Sequence, residues 1–345
     1  MTSTLGRFVT ASVAVVLTTS GLSGCGLLDG SSRIQEALEY LPADMTNVVF
    51  VDESAISERL DVDDLETGAS EKDIERWIEA SKAEAYGSEL RNWTQVMQDA
   101  AFSEFDVEWE ATATSEDGLV RVTKLNADTD FDAIADDLED AGYERSKDGD
   151  AETFEADLSS ADATTGLIGD RYPGVLINLA LVPDEHLIVA GAIAEGLDVI
   201  SEDKDSLADS GRFDDLLDQA PGDDLEFAAL DVDPPCASTL GRNASPEQQE
   251  QVLGGLGHPR NIGYFAAPDE RLKVVRFLLD EESAEDDENS LATYLDGGAQ
   301  DAGLDADFDT EVEGRTVIVE ADFDDRRQLT QAWTRGEGPF ACSPA

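Results

Sequence analysis

Basic side chains are scarce in this chain of 345 residues: 23 lysines and arginines stand against 78 aspartates and glutamates, for a net charge of −55. A surface of that sign repels nucleic acid phosphates, and no basic patch offsets it, so no nucleic acid partner is expected. Anionic lipid headgroups are repelled in the same way. Histidine is almost missing. His186 and His258 are the two present, and neither has a second histidine at ligand or catalytic spacing. Both read as loop residues, His186 in a hairpin turn and His258 before Pro259. G-x-S-x-G and G-x-x-x-x-G-K-S/T do not occur, which removes the nucleophile elbow and the phosphate loop. No cofactor is expected. Beyond Gly30 no long uncharged apolar run occurs, so no transmembrane helix is expected in the body of the chain.

Cysteine is also rare, at three residues, and the position of the first is informative. Arg7 is the only charge near the N-terminus, and Phe8 to Leu17 are apolar or small. That run falls short of the roughly 20 apolar residues that span a bilayer. A charged head and an apolar middle read as a secretory signal. The signal ends Leu22-Ser23-Gly24-Cys25, which resembles the lipobox of bacterial lipoproteins. The resemblance implies removal of residues 1–24 and acylation of Cys25 as the new N-terminus. Residues 25–34 then form a lipidated tether on the outer face of the cell membrane. One acyl chain, at about 0.8 kcal/mol per buried methylene, holds marginally, whereas two or three on one residue hold stably. There is no twin-arginine pair, so the general secretion route is expected. Cys236 and Cys342 remain, an even number in an oxidising compartment. One intramolecular pairing is available to them, the alternative being two buried thiols. The bond would close a loop of roughly 100 residues, which the chain-entropy model values at about 4.7 kcal/mol.

Hydrophobic residues make up 41% of the chain, enough for a packed core rather than a disordered tail. The acids are spread along the whole length, as in a surface adapted for solubility, and are not gathered into a cation-binding cluster. A pattern then repeats. A helical stub with Ala37, Leu38 and Leu41 stops at Pro42, and Val48 to Val51 reads as a buried strand ending at Asp52. Leu216 and Leu217 end a helix before Pro221, and Phe227 to Leu230 reads as a strand ending at Asp231. Pro42, Asp44 and Asp52 recur at one constant offset as Pro221, Asp223 and Asp231.

Each unit continues alike. Leu119 to Leu125 alternates as a strand. A helix with Phe131, Ile134, Ala135 and Leu138 follows and ends at Gly142, and a strand closes on Glu155-Ala156-Asp157. In the second unit Leu272 to Leu279 is a strand, Leu291, Tyr294 and Leu295 mark a helix ending at Gly297-Gly298, and Val317 to Val319 leads into Glu320-Ala321-Asp322. The expected fold is α+β: two related lobes, 35–210 and 211–345, of mainly antiparallel sheet with helices packed on one face. The first lobe adds an acidic helical insert over Glu58 to Ala101. It also adds a hairpin of Val175 to Val182 and Leu187 to Ala190, turning at Pro183-Asp184, and a helix over Ala192 to Ile200.

Two stretches, Phe105-Asp106-Val107-Glu108-Trp109 and Leu181 to Gly191 around Pro183-Asp184-Glu185-His186, resemble uncharacterised secreted lipoproteins of high-GC Gram-positive bacteria. That resemblance implies location and fold style, and it transfers no site residues or activity.

Asp128, Asp130, Asp132, Asp136 and Glu139 match positions of a calcium-binding EF-hand loop, but Ala133 stands where the loop needs glycine. The Phe131, Ile134, Leu138 spacing makes the same stretch a helix capped by Asp128 or Asp130. A second run, Asp305, Asp307 and Asp309, has Thr316 where the closing glutamate belongs. No metal site is therefore assigned. Trp77, Trp93, Trp109 and Trp333 are either core anchors or the lining of a carbohydrate or lipid cleft. With these residues the expected function is a non-enzymatic, membrane-tethered binding or scaffold protein of the cell envelope. One rival is a carrier holding a small or hydrophobic ligand between the lobes. The other is a hydrolase using paired carboxylates.

Overall fold

The computed structural model describes residues 32–116, 118–149, 151–157, 166–222, 225–234, 236, 253, 255–268, 272–298, 304, 306–323 and 327–343. The signal segment, Cys25, most of the tether, Asp223 and Asp305 lie outside the described residues.

The first half runs α1 (Arg33–Leu38), β1 (Asn47–Asp52), α2 (Glu53–Arg59), α3 (Glu71–Ser81), β2 (Val107–Thr114), β3 (Leu119–Leu125), α4 (Phe131–Asp140), β4 (Tyr143–Asp148) and β5 (Ala151–Ala156). A two-stranded ribbon, β6 (Leu167–Ile168) with β7 (Tyr172–Pro173), precedes β8 (Asn178–Val182), β9 (Leu187–Gly191), α5 (Ile193–Ile200) and α6 (Leu207–Ser210). The second half runs α7 (Asp214–Leu217), β10 (Phe227–Val232), β11 (Asn261–Ala266), β12 (Leu272–Phe277), α8 (Glu281–Gly298), β13 (Ala306–Glu313), β14 (Thr316–Phe323) and α9 (Arg327–Arg335).

All strands but the ribbon join one twelve-stranded antiparallel sheet, ordered β13-β14-β12-β11-β10-β1-β2-β3-β9-β8-β5-β4. The fold is α+β. The halves share one order of elements, three strands, a helix and a hairpin: β1-β2-β3-α4-β4-β5 and β10-β11-β12-α8-β13-β14. They meet where β1 pairs antiparallel with β10. In the second half β14 pairs directly with β12. In the first, the β8–β9 hairpin is wedged between β3 and β5. The edge strands are charged and half exposed. β13 alternates Asp307, Asp309, Glu311 and Glu313 outward, which blunts strand addition from another chain.

Central strands such as β1, with Val48, Phe50 and Val51 all buried, are apolar on both sides because both faces of the sheet are covered. On one face the two repeat helices pack at opposite ends. α4 buries Phe131, Ile134 and Leu138 against Phe154, Leu179 and Leu181, and α8 buries Ala284, Leu291 and Leu295 against Tyr264, Val274 and Val319. The opposite face carries one continuous core from β5 to β12, closed by Ile34 and Leu38 of α1, Leu207 of α6 and Leu216 of α7. The expectation of helices on one face thus holds for the repeat helices, while the connecting helices cover the other.

The residue-by-residue offset does not carry over into three dimensions. Asn47 pairs with Asp231 and Val49 with Ala229, so Asp231 shares a face with Val49. Asp52 pairs with Trp109, on the face of Phe50 and Ala111. The two strand-end acids therefore point to opposite faces. A sheet has a period of two, so an offset off by one residue inverts every side chain. The insert is also less helical than its acidic pattern suggests. After α3 it continues as short 3-10 turns at Glu89–Trp93 and Met97–Asp99.

Candidate functional site

Asn47 of β1, Asp231 of β10 and Ile262 of β11 are consecutive register partners. They form a row across the seam of the two halves, on the face of the repeat helices. Above this row lies a cleft of about 240 Å³, open to solvent, walled by Trp333 and Thr334 of α9, by Gly336 and Phe340 beyond it, and by Pro234, Cys236 and Cys342. The chain turns over the end of β10 through two left-handed residues, Asp233 (φ 50°) and Cys236 (φ 42°). Cys236 is bonded to Cys342, with Cα atoms 5.2 Å apart. One side of the cleft is thus a covalent clasp between the exit of β10 and the C-terminal segment.

The next residue in the same row is Arg276 of β12, paired with Ile262 and fully buried. Its Nε and Nη2 donate to Oδ2 and Oδ1 of Asp287 on α8 at 2.8 and 2.9 Å. Its Nη1 donates to the carbonyls of Pro339 and Ala341 at 3.1 and 2.8 Å. A planar guanidinium can satisfy all four acceptors at once. This pair holds the segment carrying Phe340 and Cys342 against the sheet, so the cleft wall is rigidly placed. Trp333 and Phe340 meet edge to face at 5.1 Å between ring centroids.

Asp231 has no counter-charge among the described residues. Desolvation by burial, with the nearby Asp233 adding to it, pushes its carboxyl up to about 7. Asn47, which also lines the cleft, donates its Nδ2 to the carbonyl of Leu230 at 3.3 Å. Among the described residues the cleft lining contains no lysine, arginine or histidine.

A second group of acids lies between the two cores of the same face. Glu53, Glu104, Glu110 and Glu226 are buried. Arg59 bridges Glu226 and Glu84 at 2.5 and 2.7 Å, and Arg91 reaches Glu53 at 3.2 Å and Glu104 at 3.5 Å. Ser88 donates its backbone N–H to Glu53 and its hydroxyl to Glu104, and Glu89 donates its N–H to Glu110 at 3.0 Å. Burial and the adjacent Glu53 hold the Glu104 carboxyl well above the usual range, and burial pushes Glu110 up to about 7. These carboxylates stand where a paired-carboxylate hydrolase would be sought. Most of their oxygens are taken up by the turns of the insert, by arginines and by the Tyr86 and Thr123 hydroxyls, although Glu104 Oε1 has no hydrogen-bond partner, and the side chains are buried. The arrangement clamps the insert onto the sheet, and at the start of the Glu89–Trp93 turn the Ser88 and Glu89 backbone donors are bonded to side chains from outside the insert.

The calcium-like stretch is a helix. Asp130 is its N-cap, accepting from the Ala133 N–H at 3.1 Å, and Gly142 follows it at φ 99°. Asp132, Asp136 and Glu139 therefore lie along a helix. No group of three or more metal-ligating side chains converges among the described residues. Trp77 and Trp109 are buried core residues, Trp93 packs on the α4 core, and Trp333 lines the cleft. His186 occupies the hairpin turn at φ 54°, and His258 Nδ1 lies 2.9 Å from the Ser343 carbonyl.

Trp333, Asp231, Cys236 and Cys342 were each conspicuous in the sequence for separate reasons. Asn47, Ile262 and the buried Arg276 were not, because only strand register brings them into one row. No known protein family matches the chain, and no curated protein matches it. Among solved structures, crystal form I of TP0453 aligns over 85% of this chain and 94% of that chain, at 10% identity and a TM-score of 0.43. Crystal form III of TP0453 aligns over 85% and 96%, at 9% identity and a TM-score of 0.40. The description of the fold rests on the strand pairings themselves.

Proposed function

We propose that the protein is a lipid-anchored binding protein of the extracytoplasmic face, holding a small ligand in the cleft over Asn47, Asp231 and Ile262. The observation that carries this reading is the cleft itself: a solvent-open hollow at the seam of the two halves, with rigid walls and an unpaired acid in its floor. Its volume of about 240 Å³ is below the roughly 300–1,000 Å³ common for drug-sized ligands, so the occupant is small. Support for the anchor comes from the leader and Leu22-Ser23-Gly24-Cys25. No helix among the described residues is long and apolar enough to cross a membrane, and in this reading the tether is the acylated Cys25.

Two measurements test the proposal separately. Cys25→Ser should move the protein from the membrane fraction to the soluble fraction; continued partition with membranes would overturn the anchor. Native mass spectrometry of the protein purified from its own host should show a small molecule travelling with it. An empty chain would count against the binding role.

A further inference from the structure

Resting on that reading of the cleft, we infer that its ligand is a small organic cation, a protonated amine or quaternary ammonium joined to an apolar body. The floor and walls set out the chemistry. Asp231 is a largely buried carboxylate with no counter-charge among the described residues, and the nearby Asp233 is another acid. An isolated buried carboxylate is costly unless a partner arrives, so the site is a counter-ion without its ion. Its register partner Asn47 brings a second polar side chain to the lining. Trp333 and Phe340, in edge-to-face contact, line the same cleft. An aromatic face beside a carboxylate is the environment that stabilises an ammonium group through its ring quadrupole as well as its charge.

Selection against anions is built into the same walls. With no lysine, arginine or histidine among the described lining residues, a carboxylate or phosphate ligand would meet Asp231 with none of them to offset the repulsion. The net charge of −55 adds a long-range term that draws cations toward the surface and repels anions, and this term weakens with salt. Apolar contacts come from Ile262, Pro234 and the disulfide, so a bare metal ion would leave most of the cleft unfilled. The hollow is suited to a cation that carries carbon with it.

The test uses the full chain carrying Cys25→Ser, titrated calorimetrically with choline and with benzylamine. Two control ligands accompany them: 3,3-dimethylbutan-1-ol, the uncharged carbon isostere of choline, and benzoate. The expected result is saturable binding of one or both cations, with the neutral isostere at least about tenfold weaker and benzoate unbound. Asp231→Asn, which keeps shape and removes the charge, should weaken the cations about tenfold or more and leave the neutral isostere unchanged. Thermal unfolding of this variant shows whether the fold is kept, and Trp333→Leu provides a second cleft variant. If the neutral isostere binds as well as choline and Asp231→Asn changes nothing while Trp333→Leu abolishes binding, the cation inference is overturned and the binding reading stands. If none of the probes binds, the cation inference is overturned, and mass spectrometry of the host-purified protein decides the binding reading independently.

Discussion

Asp231 shows how one residue acquires a role from its surroundings. At the end of an apolar strand it reads as one of 78 acids. In the fold it lines the cleft with Trp333 and the disulfide, without a counter-charge among the described residues, and burial with the nearby Asp233 raises its carboxyl from 3.8 to about 7. The folded state then holds this proton more tightly than the unfolded chain does. The contribution of the site to stability is present in full below about pH 4, declines as pH rises, and is lost above about pH 7. Asp231→Asn should therefore stabilise the protein relative to the parent at pH 8 and make little difference at pH 4. Urea unfolding at the two pH values measures it, and an equal effect at both would refute the assignment. Arg276 illustrates the opposite case. It too is buried, but Asp287 and two carbonyls satisfy it, and it serves to fix the wall rather than to await a ligand.

Among the elements, those with strong local signals were readable in the chain. The α4 helix follows from Phe131, Ile134, Ala135 and Leu138 at helical spacing, a capping aspartate and Gly142. The β8–β9 hairpin follows from two β-branched runs flanking Pro183-Asp184. α8 was placed by Leu291 and Leu295, yet it begins at Glu281, because its first turns are acidic and show no apolar stripe. β13 was missed since its apolar residues Phe308 and Val312 are separated by acids, as suits an edge strand. The helical nature of α4 has a consequence for calcium. Asp130→Ala should cost about 1 kcal/mol by loss of the cap, and millimolar calcium should leave the unfolding midpoint of the parent unchanged. A calcium-dependent rise in the midpoint, absent in Asp130→Ala, would restore the loop reading.

At the level of the whole molecule, one sheet joins two halves with the same order of elements. The covalent and ionic clasp at Cys236–Cys342 and Arg276–Asp287 ties the chain's end to the second half. The bond spans 106 residues of sequence, a loop for which chain entropy predicts a stabilisation of about 4–5 kcal/mol. Reduction, or Cys236→Ser with Cys342→Ser, should lower the unfolding free energy by up to that amount. A loss under about 1 kcal/mol would show that Arg276 and the packing of Phe340 hold the segment without the bond.

The sequence by itself determined the α+β character, the existence of a repeat and the acidic composition, because these rest on local periodicity and composition, and cysteine parity made the pairing of Cys236 with Cys342 the expected one. Tertiary structure alone decided which residues share a face. The constant offset between Asp52 and Asp231 is true of the sequence and misleading in space, since their strands pair in a register that turns one acid to each side. The site depends on that register. Asn47, Asp231, Ile262 and Arg276 are far apart in the chain, and only backbone hydrogen bonding between strands lines them up, leaving one acid unpaired in a cleft and burying one arginine beside it.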